Sequence, residues 1–525
     1  MAETIDPVAG VPQFPELPQD AALPAIAQPG GQLWRRPWAP FALAALVLTA
    51  GLAVYAQTLA FAWDEGFHLL AAQLIEGGKK PYLDFFFPQA PLNVYWNAGW
   101  MHLFGDTWRT AHAVAGMMAA AGVLLAAHAV YARFPIAGWR VAGALTVVAL
   151  GGLNHQFVDY STIGQGYALC LFLLVAAYRC AIWSTERRGW FPAAATGFCA
   201  VASAGATLLS SAAAPILLLW LLIYNRAGAR WRKLAGFLVG AAIPLLPFLP
   251  LVLRAPRAVR FDIIEYHLLY RQVAWDGATA HDADVLTAWG NDPQAILLAI
   301  LVVAGLFFVR FRSAWDRATR APFYLCGWLA LCLALHISTA HPTFARYYLL
   351  TVPFLATLGV AGLSYIVAQL ARPVRPRWPV IFVGGIMAIS LSRDLYDDWD
   401  GAPWWGRLAV IARRVDEVVP RGAPVYADEA VYFLSRRTPP PGMEHDDSHK
   451  LNLKPEMEKL LHIFPKAELI RQITAGKFAA AASCDDTDTL DQLGITKAFA
   501  KKFEDSDKDC SVYWEWKPPA PAKKP

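Results

Sequence analysis

Runs of about 20 consecutive apolar residues limit this chain more than any other feature. A hydrocarbon core of about 30 Å is crossed by roughly 20 helical residues, and backbone groups inside it must pair within the protein. Such runs stand near 38–60, 110–131, 140–158, 164–183, 190–207, 209–224, 233–253, 293–310, 321–340, 345–370 and 378–393. They predict a polytopic α-helical membrane protein of about 11 transmembrane helices. The 190–224 stretch is almost continuous; it is divided at Ser210–Ser211, because one helix of that length overshoots a bilayer. Only 17% of the residues are charged and 56% are hydrophobic, where a soluble domain carries about 25% charge. A disordered protein, a nucleic-acid binder and a conventional cytosolic enzyme are thereby excluded.

The net charge of +5 names no partner; its distribution along the chain carries the message. Alternate loops hold Arg35–Arg36, Arg133 with Arg140, Arg187–Arg188, Arg226 to Lys233, Arg310 to Arg320, and Arg372 to Arg377. By the positive-inside bias these loops face the cytoplasm. The opposite links near 159–163 and 208–212 have no positive charge. The expected location is the cell's inner (plasma) membrane, with the N-terminus cytoplasmic and the C-terminus extracytoplasmic. Residues 1–37, largely Pro-rich and polar, read as a disordered cytoplasmic tail; 38–393 form the membrane domain, and 394–525 an external domain.

The external side carries long loops at 61–108 and 254–292, and long loops in compact folds are commonly functional. In 261–272, Phe261, Ile264 and Leu268 recur at helical spacing, as in an interfacial helix. The C-terminal region reads as a small α/β unit. Its expected helices are Trp404–Val419, Glu429–Arg436 and Pro455–Ile473, with strands at Val425–Asp428, Phe478–Ser483 and Ser511–Trp516. Cys484 and Cys510 lie there, where a disulfide can persist; five other cysteines lie inside spans as packing residues. No Cys-x-x-Cys or Cys/His ligand spacing points to a metal. No cofactor is indicated, and no Gly-rich phosphate loop is present.

Chemistry concentrates after the first span. Phe61-Ala-Trp-Asp-Glu-Gly-Phe-His68 places adjacent carboxylates, Asp64 and Glu65, at the lipid–water boundary. Pro81-Tyr-Leu-Asp-Phe85, Pro88-Gln-Ala-Pro-Leu92 and Leu103-Phe-Gly105 follow. Composition alone also fits an interfacial acidic pair within an aromatic belt. The order of these pieces resembles the GT-C class of integral-membrane glycosyltransferases, in the bacterial branch related to protein O-mannosyltransferases and the lipid A aminoarabinose transferase. The likeness is sharp in 61–105 and extends to the whole pattern of spans plus external domain. Gln89 stands where relatives often carry His or Lys.

The resemblance implies a sugar donor on a polyprenyl phosphate, a glycan, lipid or protein acceptor, and an Asp of the first external loop as catalytic base, here Asp64. Glu65 would tune that base or orient the acceptor. Asp84 is an acceptor-side candidate whose alternative is a carboxylate capping its own loop. Asp159, in His155-Gln-Phe-Val-Asp159, matches a second acidic site of the class; its alternative is a helix cap, with His155 as its partner. Arg254, Arg257, Arg260, His267 and Arg271 break the inside-positive pattern. Arg260, His267 and Arg271, with Arg346 of His341-Pro-Thr-Phe-Ala-Arg346, are the candidates for holding the donor phosphate. Snorkelling to ordinary headgroups is the competing reading. Asp428 and Glu429, at a strand-to-helix junction, read as structural. The rival to a transferase that inverts the anomeric centre is a polytopic transporter or lipid flippase for envelope glycan precursors. Such folds are built from repeats, and none is found here.

Overall fold

The computed structural model describes residues 38–187, 189–224, 229–270, 277–399, 404–445, 451, 453–485 and 487–518. The expected tail 1–37 and Arg271 lie outside the described residues. Among the described residues eight helices are long and apolar enough to cross a membrane: Trp38–Thr58, Trp108–Arg133, Tyr167–Glu186, Arg230–Arg254, Pro293–Arg312, Arg317–Ile337, Ala345–Ala368 and Arg377–Tyr396. The runs expected at 140–158, 190–207 and 209–224 form shorter apolar helices, Ala137–Gly152, Phe191–Ala206 and Leu208–Ile223. The protein is a polytopic helical membrane fold; among the described residues eight of the eleven expected runs reach spanning length and the other three are these shorter apolar helices.

Local chemistry sets the helix starts. Thr107, Asn154, Asp292 and Asp316 each accept a backbone N–H of the first turn, from Thr110, Phe157, Gln294 and Thr319 respectively, which satisfies donors the helix itself leaves unpaired. Glycine sets some of the helix crossings. A Cβ on Gly362 would fall 1.8 Å from the carbonyl oxygen of Leu301, so the 293–307 and 352–368 helices touch backbone to backbone as small residues allow. Buried Gln294 donates to the carbonyls of Leu153 and Met387 and accepts from the His155 amide, tying three segments together.

The bundle has two distinct ends. Arg133, Glu186, Tyr224 and Asp316 line one cavity, so the ends of four arginine-flanked segments converge. The opposite ends, near 64, 165, 207, 267 and 341, line another.

Residues 404–518 form the expected α/β unit around a four-stranded sheet: β1 Val425–Ala427, β2 Ala480–Ser483, β3 Phe499–Glu504 and β4 Ser511–Trp516. The order is β1-β2-β4-β3, with β1 and β2 parallel and β4 antiparallel to both its neighbours. β3 is a strand that the sequence reading lacked; its Lys501–Lys502 and exposed face hide the period-2 signal. The helix expected over 455–473 is two, Pro455–Leu461 and Lys466–Thr474. His462 is left-handed (φ 56°) and Pro465 follows, and the residue before a proline is pushed out of helical geometry. Cys484 and Cys510 are disulfide-bonded. These segments share one hydrophobic core: Leu69, Phe85 and Phe87 of the first long loop, Phe261, and Leu408, Val431 and Val512 of the α/β unit.

Candidate active site

The first span ends at Thr58, and a new helix, Glu65–Glu76, begins with Asp64 as its N-cap. The Asp64 side chain does not cap its own helix. It reaches a residue 282 positions away: Arg346 Nη2 donates to Asp64 Oδ2 at 2.5 Å. Arg346 belongs to the 3₁₀ segment Ala345–Thr351 and lies over the rings of Phe344 (4.3 Å), Tyr347 (5.7 Å) and Tyr160 (5.8 Å). Rings placed this way hold a guanidinium by cation–π attraction. Burial raises the Tyr160 phenol, which therefore stays protonated beside the cation. Asp64 is half exposed while Arg346 is mostly enclosed. Arg346 Nε is buried and has no hydrogen-bond partner among the described residues.

Glu65 goes the other way. Successive helical residues are about 100° apart, so the neighbouring carboxylate turns into the packing and is fully buried. Its Oε1 accepts the Gly164 N–H at 2.5 Å and meets His112 Nε2 at 2.7 Å, while His112 Nδ1 donates to the Ala56 carbonyl at 2.5 Å. Glu65 joins the first span, the 108–133 helix and the 161–166 loop.

The other candidates separate as clearly. Asp84 is exposed and accepts the Lys80 N–H at 2.7 Å, closing its own loop. Asp159 accepts the Tyr55 hydroxyl at 2.8 Å. His155, expected as its partner, lies instead 3.6 Å from Asp394 and 3.3 Å from Gln294. Arg260 is mostly exposed and pairs with Glu265 at 2.7 Å. His267 lines the same cavity as Asp64 and Arg346. Thus Asp64, Arg346 and His267 come to one cavity; Glu65, Asp84, Asp159 and Arg260 do not line it.

That cavity measures about 880 Å³ and lies between the bundle and the α/β unit. Trp63, Asp64 and His68 come from the first external loop, Gln165 and Tyr167 from the next, and Asp428, Glu429, His445 and Asp485 from the α/β unit. Asp428, read from sequence as a helix-terminus acid, is half-buried and accepts the Cys484 N–H at 2.8 Å. Burial, with Asp485 nearby, pushes its carboxyl up to about 7. His68 is held neutral: burial and then His445 bring it down to about 3. Sequence reading missed His68 and Gln165. His68 carried a signal, since it follows Asp64 by four residues and shares its helix face; Gln165 had none. Among the described residues no three His, Cys, Asp or Glu side chains are grouped to hold a metal.

No protein-family model matches the chain, and no curated protein matches it in sequence. Solved structures do match. Two crystal structures of ArnT from Cupriavidus metallidurans, one bound to undecaprenyl phosphate and one in the apo state, superpose with a TM-score of 0.63 over 90% of this chain and 97% of theirs. Sequence identity is 14% and 15%. At that identity the likeness is one of fold: bundle and α/β unit together follow the fold of those two structures.

Proposed function

We propose that this chain is a membrane glycosyltransferase that moves a sugar from a polyprenyl phosphate to an acceptor hydroxyl at the extracytoplasmic face. The observation that carries the reading is the Asp64–Arg346 pair, a carboxylate and an aromatic-framed guanidinium facing one cavity. The ArnT structure bound to undecaprenyl phosphate supports the class of donor through its shared fold. Asp64 accepts the acceptor's hydroxyl proton as general base. The acceptor oxygen bonds to the anomeric carbon, the bond from that carbon to the phosphate oxygen breaks, and its electron pair leaves on the phosphate. One displacement inverts the anomeric centre. Arg346 stabilises the departing charge.

The pair also couples donor to base. A phosphate taking up the Arg346 guanidinium loosens its hold on Asp64 and frees the carboxylate for the acceptor hydroxyl only when the donor is seated. Asp64→Asn keeps the shape and removes the base; it is expected to lose about 10²- to 10⁴-fold in transfer while still binding undecaprenyl phosphate. Arg346→Gln is expected to lose both. Transfer assayed with a lipid-linked sugar donor tests this, and full activity of Asp64→Asn overturns it.

A further inference from the structure

Three polar side chains that the proposed chemistry does not use line the cavity beside Asp64. His68 Nδ1, Gln165 Nε2 and His445 Nδ1 are each buried, and none has a hydrogen-bond partner among the described residues. Their residues are 7%, 5% and 7% exposed. Buried polar atoms in folded proteins are nearly always paired, and each exception calls for a reason. Leaving one bare forfeits the hydration it had in water with nothing in return. Three around one cavity is a pattern with a common cause.

The three come from separate parts of the fold. His68 lies one turn after Asp64, its ring stacked on Phe67 at 4.3 Å; Phe67 in turn stacks on His445 at 4.6 Å. Gln165 precedes the 167–186 helix and follows Gly164, whose N–H is held by Glu65. His445 belongs to the α/β unit, and its Nδ1 faces Glu429 Oε1 at 3.5 Å without a hydrogen bond between them. All three are hydrogen-bonding groups, and two carry no charge: Gln165 by nature and His68 by burial. The guanidinium that suits a phosphate lies at Arg346. Uncharged donors and acceptors suit hydroxyl groups instead, and a sugar linked directly to the phosphate must lie beside Arg346.

We propose that His68, Gln165 and His445 form the subsite that reads the hydroxyl groups of the donor's sugar ring, a neutral hexose or pentose, while Arg346 takes the phosphate. This rests on the transferase reading above and adds to it the class of sugar and the residues that select it. Sites built to hydrogen-bond a hydroxyl discriminate strongly, because an analogue lacking it leaves buried groups unpaired.

The test compares binding of undecaprenyl phosphate with binding of undecaprenyl phosphate carrying a neutral hexose or pentose, using the full chain in nanodiscs. His68→Phe and Gln165→Leu preserve size and remove the hydrogen bond. Each is expected to weaken the sugar-carrying lipid about tenfold, one hydrogen bond's worth, and to leave bare undecaprenyl phosphate unchanged. His68→Gln, which keeps a donor and an acceptor, is expected to recover part of the loss. Unchanged affinity for every sugar-carrying lipid, or equal loss for both lipids, overturns the subsite. A wild-type chain that binds neither lipid defeats the transferase reading itself, and the subsite with it.

Discussion

Asp64 and Glu65 are chemically alike and one residue apart, yet the fold gives them opposite environments. Asp64 is half exposed and shares a cavity with Arg346, whereas Glu65 is sealed against His112 and Gly164. Removing one partner of a buried pair leaves an uncompensated polar group, so Glu65→Ala is expected to destabilise the protein by about 3–5 kcal/mol. Thermal unfolding in detergent measures this, and a change below about 1 kcal/mol contradicts it. Asp428 makes a pH prediction. Its carboxyl is raised to about 7 in the fold, against about 3.9 when unfolded. The folded state therefore binds the proton more tightly, and the stability it contributes is full below about pH 4. That contribution is lost as pH rises through about 7. Asp428→Asn, which can still accept the Cys484 N–H, is expected to flatten the fall in Tm between about pH 4 and 8. A variant profile parallel to wild type counts against it.

Between elements, the decisive contact joins the first external helix to the α/β unit. A Cβ on Gly66 would lie 3.0 Å from the Ala430 backbone nitrogen and 3.3 Å from its Cβ. A side chain at 66 would press the Glu65–Glu76 and Glu429–Ser435 helices apart by a few tenths of an ångström or more, and their approach brings Asp428 and Glu429 to the cavity. Gly66→Val is expected to cost about 1–3 kcal/mol by overpacking and to lower transfer by prising the α/β unit away. Protease sensitivity of 404–518 together with the transfer rate reports both effects. Wild-type values for each would show that the contact is dispensable.

In the whole molecule, the external loops and the α/β unit behave as one body because they share a hydrophobic core. The Cys484–Cys510 bond, 26 residues apart, closes the β2–β4 side of that body. A loop of this size is worth about 3 kcal/mol in the chain-entropy account. The double variant Cys484→Ala, Cys510→Ala is expected to lose about that much from the unfolding of the external body, read by denaturant titration, with the bundle unfolding separately and unchanged. A single unfolding transition at the wild-type midpoint would contradict this.

How much was legible follows from the range of each interaction. Apolar runs and the strands at 425, 480 and 511 are local patterns, and the structure keeps them. The Trp-Asp-Glu-Gly stretch and Arg346 could each be singled out along the chain; that they touch could not, because 282 residues separate them. Equally, no local pattern distinguishes Asp64 from Glu65, or marks Gln165 and Asp428 as cavity residues. The run of apolar helices and the α/β composition of the C-terminal region are matters of solvent and short-range periodicity, so the sequence by itself determined them. Which carboxylate meets the guanidinium, and which polar atoms remain unpaired around the cavity, depends on how distant segments pack. Only the tertiary structure decided that.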